Sequence, residues 1–146
     1  MTKTARKLVC FLFIFSFILP VLGRDLPKID DFLTILARVE SSNNPKTYNK
    51  SENAIGIYQI RAQYFKDAQD FDKNLSKYSH SDCYNPEISR KVVKSYLTRY
   101  SNDKIDSFET WAKMHNGGGR YWLNKNKKYQ ENLDKYWKNF LAKSGK

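Results

Sequence analysis

Residues Ile29 to Pro45 read IDDFLTILARVESSNNP. Ile29, Phe32, Leu33, Leu36 and Val39 recur at three- and four-residue spacing, which puts them on one face of an α-helix. Asp25 and Pro27 are start signals, and Ser41-Ser42-Asn43-Asn44-Pro45 is a strong break, so the helix is predicted to end near Glu40. No stretch of the chain sustains the period-two alternation of a half-buried strand. The fold class that follows is mainly α.

Outward from that helix, Lys46 to Asn53 is polar and turn-like. Ala54 to Ile60 is a short apolar stretch with a glycine, read as a strand or an extended loop. Tyr64, Phe65 and Ala68 predict a short second helix. Pro86, at a first helical position, opens a longer one with Ile88, Val92, Tyr96 and Tyr100 near its buried face. Asp106 and Glu109 are spaced as a capping-box-like pair ahead of Phe108, Trp111, Ala112 and His115, and Gly117, Gly118 and Gly119 stop that helix. From about Asn126, Tyr129, Leu133, Tyr136, Trp137 and Phe140 form an apolar stripe. There is no internal repeat and no dividing linker.

The 146 residues, 40% apolar, allow one domain with a real core. Lys3, Arg6 and Lys7 precede the apolar run Leu8 to Leu19, and Pro20 to Gly23 supply a break and a small residue. That run is short against the roughly 20 residues that span a bilayer. Residues 1–23 are therefore expected to be a signal peptide and 24–146 the functional domain, with an uncleaved anchor as the alternative. Losing the three basic residues of that segment takes the formal charge from +11 to +8. Cys10 leaves too, so Cys83 has no disulfide partner and is expected to be a small, partly buried residue.

A strongly basic exported domain suits an anionic partner. Zinc spacing, phosphate-cradling glycine loops and RNA-binding signatures are all missing from the sequence, so nucleic acid is not expected. The carboxylates and phosphates of a bacterial wall fit better, against the alternative of simple lysine-based solubility. His80 and His115 are the only histidines and no ligands cluster, so no metal and no cofactor is expected.

Three stretches are odd for structure alone. Glu40 lies on the last turn of an amphipathic helix, beside core-facing Val39. A helix C-terminus and partial burial both disfavour the anion, raising the pKa toward what a general acid requires. The alternative is an ordinary solvated glutamate. In Ala54-Ile55-Gly56-Ile57-Tyr58-Gln59-Ile60, the glycine admits a ligand or a second backbone, while Tyr58 and Gln59 offer a ring and an amide to sugars; a buried strand reads the same way. Met114-His115-Asn116-Gly117-Gly118-Gly119, ahead of Trp122, is a polar rim or a C-cap turn.

In this order and spacing the three resemble the lysozyme-like superfamily. Glu-Ser-Ser-x-x-Pro followed by Ala-x-Gly-x-x-Gln-Ile looks like the signature of soluble lytic transglycosylase (SLT) domains and goose-type lysozymes. The His115-Asn116-Gly117-Gly118 stretch, the later Tyr136-Trp137 and the run Gly56 to Tyr64 look more like invertebrate-type lysozymes. The resemblance covers roughly Phe32 to Trp122. It implies a single lysozyme-like α-helical domain with a short extended or β segment beside a cleft. It further implies cleavage of the β-1,4 bond between N-acetylmuramic acid and N-acetylglucosamine, by hydrolysis or lytic transglycosylation.

On that reading Glu40 is the acid, and Tyr58, Gln59, His115, Asn116 and Trp122 contact the glycan. Invertebrate-type lysozymes carry a second catalytic aspartate; counting back from Gln59, its position holds Asn49, and the nearest carboxylate is Glu52. Glu52 is thus the candidate second group. The expected protein is a monomer secreted to, or held in, the periplasm or cell envelope, without stable membrane insertion once the signal is removed, its partner peptidoglycan glycan strands. A non-catalytic wall-glycan-binding protein and a cationic envelope-disturbing protein are the alternatives.

Overall fold

In the computed structural model the first helix, α1, spans Ile29–Ser41. Asp30 and Asp31 in its first turn and Arg38 in its last complement the helix dipole. Phe32, Leu33, Ile35, Leu36 and Ala37 are its buried face, and each fully buried Leu or Phe contributes about 1.5–3 kcal/mol of transfer free energy. Ser42 and Asn43 then take left-handed backbone angles of +55° and +65°, reversing the chain immediately after Glu40. The structure describes residues 29–101, 107–123 and 126–144. The expected signal peptide lies outside them.

Polar Lys46 to Asn53 and apolar Ala54 to Ile60 form neither one strand nor an open loop. They fold into a small three-stranded antiparallel sheet of β1 (Tyr48–Asn49), β2 (Ala54–Ile55) and β3 (Ile60–Arg61), in that spatial order. The register pairs Tyr48 with Ile55, Asn49 with Ala54, Ala54 with Arg61 and Ile55 with Ile60. Gly56 (φ +75°) and Gln59 (φ +49°) shape the β2–β3 turn, with the Gln59 N–H donating to the Gly56 carbonyl at 3.2 Å. A Cβ at Gly56 would lie 2.1 Å from the carbonyl oxygen of Cys83. The close approach this glycine permits is therefore to a second backbone.

α2 (Ala62–Phe71) buries Tyr64, Phe65 and Ala68 as the spacing predicts. α3 (Pro86–Tyr100) has proline in its first turn, and the Asn85 side chain accepts from the N–H groups of Glu87 and Ile88. It buries Val92, Val93, Tyr96 and Leu97, while Ile88 and Tyr100 are half-buried. α4 (Phe108–Gly117) is capped by Ser107, whose hydroxyl accepts from the Thr110 N–H; Asp106 lies outside the described residues. Gly118, at φ +71°, ends it.

α5 (Lys127–Ser144) places Leu133 in the core, with Tyr129, Trp137 and Phe140 packed against it. Tyr136, expected on the same stripe, is 39% exposed, because the buried face of α5 is narrower than five residues. The molecule is a mainly α structure with a small sheet. Its aromatic seam joins α1, α4 and α5: the Phe32 ring meets Phe108 and Trp111 at 5.1 and 5.5 Å, and Phe108 stacks on Trp137 at 4.5 Å. That packing brings the ends of α1 and α4, the start of α5 and the sheet to one place. Cys83 is fully buried, and burial pushes its thiol up to about 12, so it is an inert core residue.

Candidate active site

A polar cavity of about 200 Å³ opens where these elements meet, with Glu40 on its wall beside Gln59, His115 and Asn116. Glu40 comes from the last turn of α1, and its side chain is only 16% exposed. Its neighbour Ser41 fastens the helix end to the β2–β3 turn, its one hydroxyl proton shared between the carbonyls of Ile57 (2.9 Å) and Ala37 (3.2 Å). Burial raises the Glu40 carboxyl from 4.5 to about 7, partly opposed by a hydrogen bond from Tyr129 and the charge of Arg61, and assisted by Glu52. A carboxyl group that holds its proton near neutrality can act as a general acid.

His115 is buried at the end of α4, with Nε2 at 3.0 Å from the Tyr58 carbonyl and Nδ1 at 3.1 Å from the Tyr64 hydroxyl. A carbonyl can only accept, so Nε2 carries the proton and Nδ1 accepts from Tyr64. Burial pulls the imidazole from 6.5 down to about 4, although the bond to Tyr58 pulls the other way. His115 Nε2 also lies 3.6 Å from Glu40 Oε1. With the ring neutral, that approach is a packing contact rather than an ion pair.

On the same cavity Glu52 receives Arg61 Nε at 2.9 Å and Nη2 at 2.7 Å, both on Oε2. The two side chains are 49% and 40% exposed, so the pair adds little stability, but it fixes where the carboxylate sits. Arg61 Nη1 reaches on to the Asn116 carbonyl at 3.5 Å, tying β3 to the end of α4. Asn49 and Tyr64 complete the lining, as does Tyr129, whose hydroxyl donates to Glu40 Oε1 at 2.6 Å.

Gln59 lines the cavity, its amide nitrogen donating to the carbonyls of Gly56 (2.9 Å) and Thr47 (3.3 Å), and no described residue bonds its oxygen. Tyr58 departs from expectation. It is 4% exposed and absent from the lining, because the tight β2–β3 turn directs its ring into the core while its carbonyl serves His115. Trp122 lies in the turn Gly118–Leu123, and its side chain is outside the described residues. Sequence reasoning missed Tyr129, which read as one of several apolar stripe positions, and Arg61, which was only part of a motif. Among the described residues no His, Cys, Asp and Glu group could hold a metal, and no helix is long and apolar enough to cross a membrane.

A family model described as Destabilase matches residues 30–141. No curated protein and no solved structure gives a match. The chain belongs to the Destabilase family, a lysozyme-like family of the invertebrate type, and so to the lysozyme-like superfamily. The match speaks for the invertebrate-type side of the resemblance and lends nothing to its transglycosylase or goose-type side.

Proposed function

We propose that this member of the Destabilase family is an exported muramidase that cleaves the β-1,4 bond between N-acetylmuramic acid and N-acetylglucosamine in peptidoglycan. The observation that carries the reading is Glu40: a carboxyl that burial raises to about 7, on the wall of a polar cavity that also holds the Glu52 carboxylate. Glu40 gives its proton to the glycosidic oxygen as the anomeric carbon becomes oxocarbenium-like. Glu52, held by Arg61, is then the second carboxylate, acting on the anomeric carbon or on water. Its presence in the cavity favours hydrolysis over 1,6-anhydro formation. Gln59 and Asn116, both on the cavity wall, are the groups that bind acetamido groups in this reading, and the basic net charge suits the anionic wall. The enzyme works as a monomer, without metal or cofactor.

Mass spectrometry of peptidoglycan digested by the wild-type chain and by Glu40→Gln tests this. New reducing muropeptide ends are expected from the first and at least about 100-fold fewer from the second. Wall binding with no cleavage by the wild type would instead establish a glycan-binding protein.

A further inference from the structure

The two carboxyl oxygens of Glu40 have different surroundings. Oε1 accepts from the Tyr129 hydroxyl at 2.6 Å and has His115 Nε2 at 3.6 Å. No described residue bonds Oε2, and Glu40 lines the cavity. The groups facing this carboxyl are His115 from α4, Tyr64 from α2, Arg61 from β3, Glu52 from the loop before β2, and Tyr129 from α5. Among them Tyr129 is the one that donates a hydrogen bond to it, since the His115 proton is committed to the Tyr58 carbonyl.

Tyr129 is itself held in place. Asn126 Oδ1 accepts from the Tyr129 N–H at 3.1 Å and its carbonyl from the Gln130 N–H at 3.2 Å, which caps α5. The Asn126 amide also reaches Asn116 Oδ1 at 3.5 Å, so the end of α4 and the start of α5 are joined at the cavity edge. Burial and the nearby Glu40 keep the Tyr129 phenol far above its ordinary pKa, so it remains a donor at every working pH.

We propose that Tyr129 is the positioning residue of the acid: by donating to Oε1 it makes that atom the carbonyl oxygen and assigns the transferable proton to Oε2. In the neutral acid the carbonyl oxygen is the stronger acceptor, so a short donated bond favours the proton on the other oxygen. Once Oε2 has passed its proton to the leaving oxygen, the same phenol supports the negative charge on the carboxylate. Its hydroxyl bonds Oε1 and not the oxygen that gives up the proton. The proposal rests on Glu40 being the acid, and its test is chosen to fail separately.

The test is a ¹³C NMR titration of the Glu40 carboxyl in the full-length protein without substrate. A donor to the carboxylate favours the charged form, so Tyr129→Phe is expected to move the Glu40 midpoint upward by about one pH unit. With glycan present, the same variant should lose about 10- to 100-fold in kcat with KM little changed, since the acid is misplaced rather than the sugar unbound. Tyr136→Phe, on the exposed side of α5, should change neither. If Tyr129→Phe fails to fold, 3,5-difluorotyrosine at 129, a stronger donor of nearly the same shape, should lower the midpoint instead. An unmoved midpoint in a folded Tyr129 variant overturns the proposal. A midpoint that moves in a protein that cleaves no glycan supports the contact and counts against the acid role.

Discussion

His115 Nε2 lies 3.6 Å from Glu40 Oε1 yet gives its proton to the carbonyl of Tyr58, so a histidine and a glutamate in van der Waals contact are both neutral near pH 6. The same burial shifts them in opposite directions, and stability should record both. Glu40 is raised from 4.5 to about 7, so the folded state binds a proton the unfolded chain has released, and stability falls as pH rises through that window. His115 is lowered from 6.5 to about 4, so the unfolded chain binds the extra proton, and stability falls as pH drops through that window. Each effect amounts to about 3 kcal/mol at its full extent.

Between pH 4.5 and 6.5 the two slopes oppose each other, and urea unfolding of the wild type should be nearly independent of pH there. Glu40→Gln removes one slope, so that variant should lose stability steadily from pH 6.5 down to 4. A Glu40→Gln curve as flat as the wild type would mean that His115 is not buried neutral.

Activity has its own dependence on pH. Only protonated Glu40 can act as the acid, so kcat on soluble wall fragments should fall tenfold per pH unit above about 7. Glu40→Gln should remain folded and lose about 100- to 10,000-fold at pH 6. A folded variant with full turnover would remove Glu40 from the chemistry.

The β2–β3 turn supports both Ser41 and His115 through the carbonyls of Ile57 and Tyr58. Gly56→Ala should therefore damage more than one loop. Its Cβ would stand 2.1 Å from a backbone oxygen, at a φ of +75°. A loss of about 2 kcal/mol or more in urea unfolding is expected, with a matching loss of activity. Wild-type stability in this variant would show that the turn can yield.

The helical part of this fold was legible because an apolar face repeats every three or four residues: α1 ends within one residue of Glu40, as its break residues demand. The sheet was harder, since two-residue strands hold no alternation to read, and Ala54 to Ile60 hides a reversal at Gly56 to Gln59. That reversal is why Tyr58 points inward while Gln59 faces the cavity. Glu40, Gln59, His115 and Asn116 could be named together only through the resemblance of their three stretches to lysozyme-like signatures, since each stretch alone also reads as a helix end, a buried strand or a cap. Tyr129 was not, because periodicity reports which face a tyrosine sits on and says nothing of where its hydroxyl points. Arg61 escaped for a similar reason: only the pairing of Arg61 with Ala54 carries it to Glu52, two residues before Ala54.

On the proposed reading, Glu52 decides the kind of reaction. Both Arg61 donors fall on its Oε2, and Oε1 has no bond from a described residue. A carboxylate so fixed in the cavity of Glu40 can attack the anomeric carbon or take a proton from water, and either route leaves a free reducing end. If Glu52 serves in this way, Glu52→Gln should keep the fold, since an exposed ion pair contributes at most about 1 kcal/mol, while kcat drops by about 100-fold or more. Arg61→Met should also slow the reaction, because the carboxylate loses the partner that orients it. The wild-type products, separated and weighed, should carry water rather than a 1,6-anhydro ring. If instead Glu52→Gln turns over normally and the products are anhydro sugars, Glu40 must act first as acid and then as base, with the substrate's own 6-hydroxyl as nucleophile. Glu52 would then be no more than the anchor of Arg61.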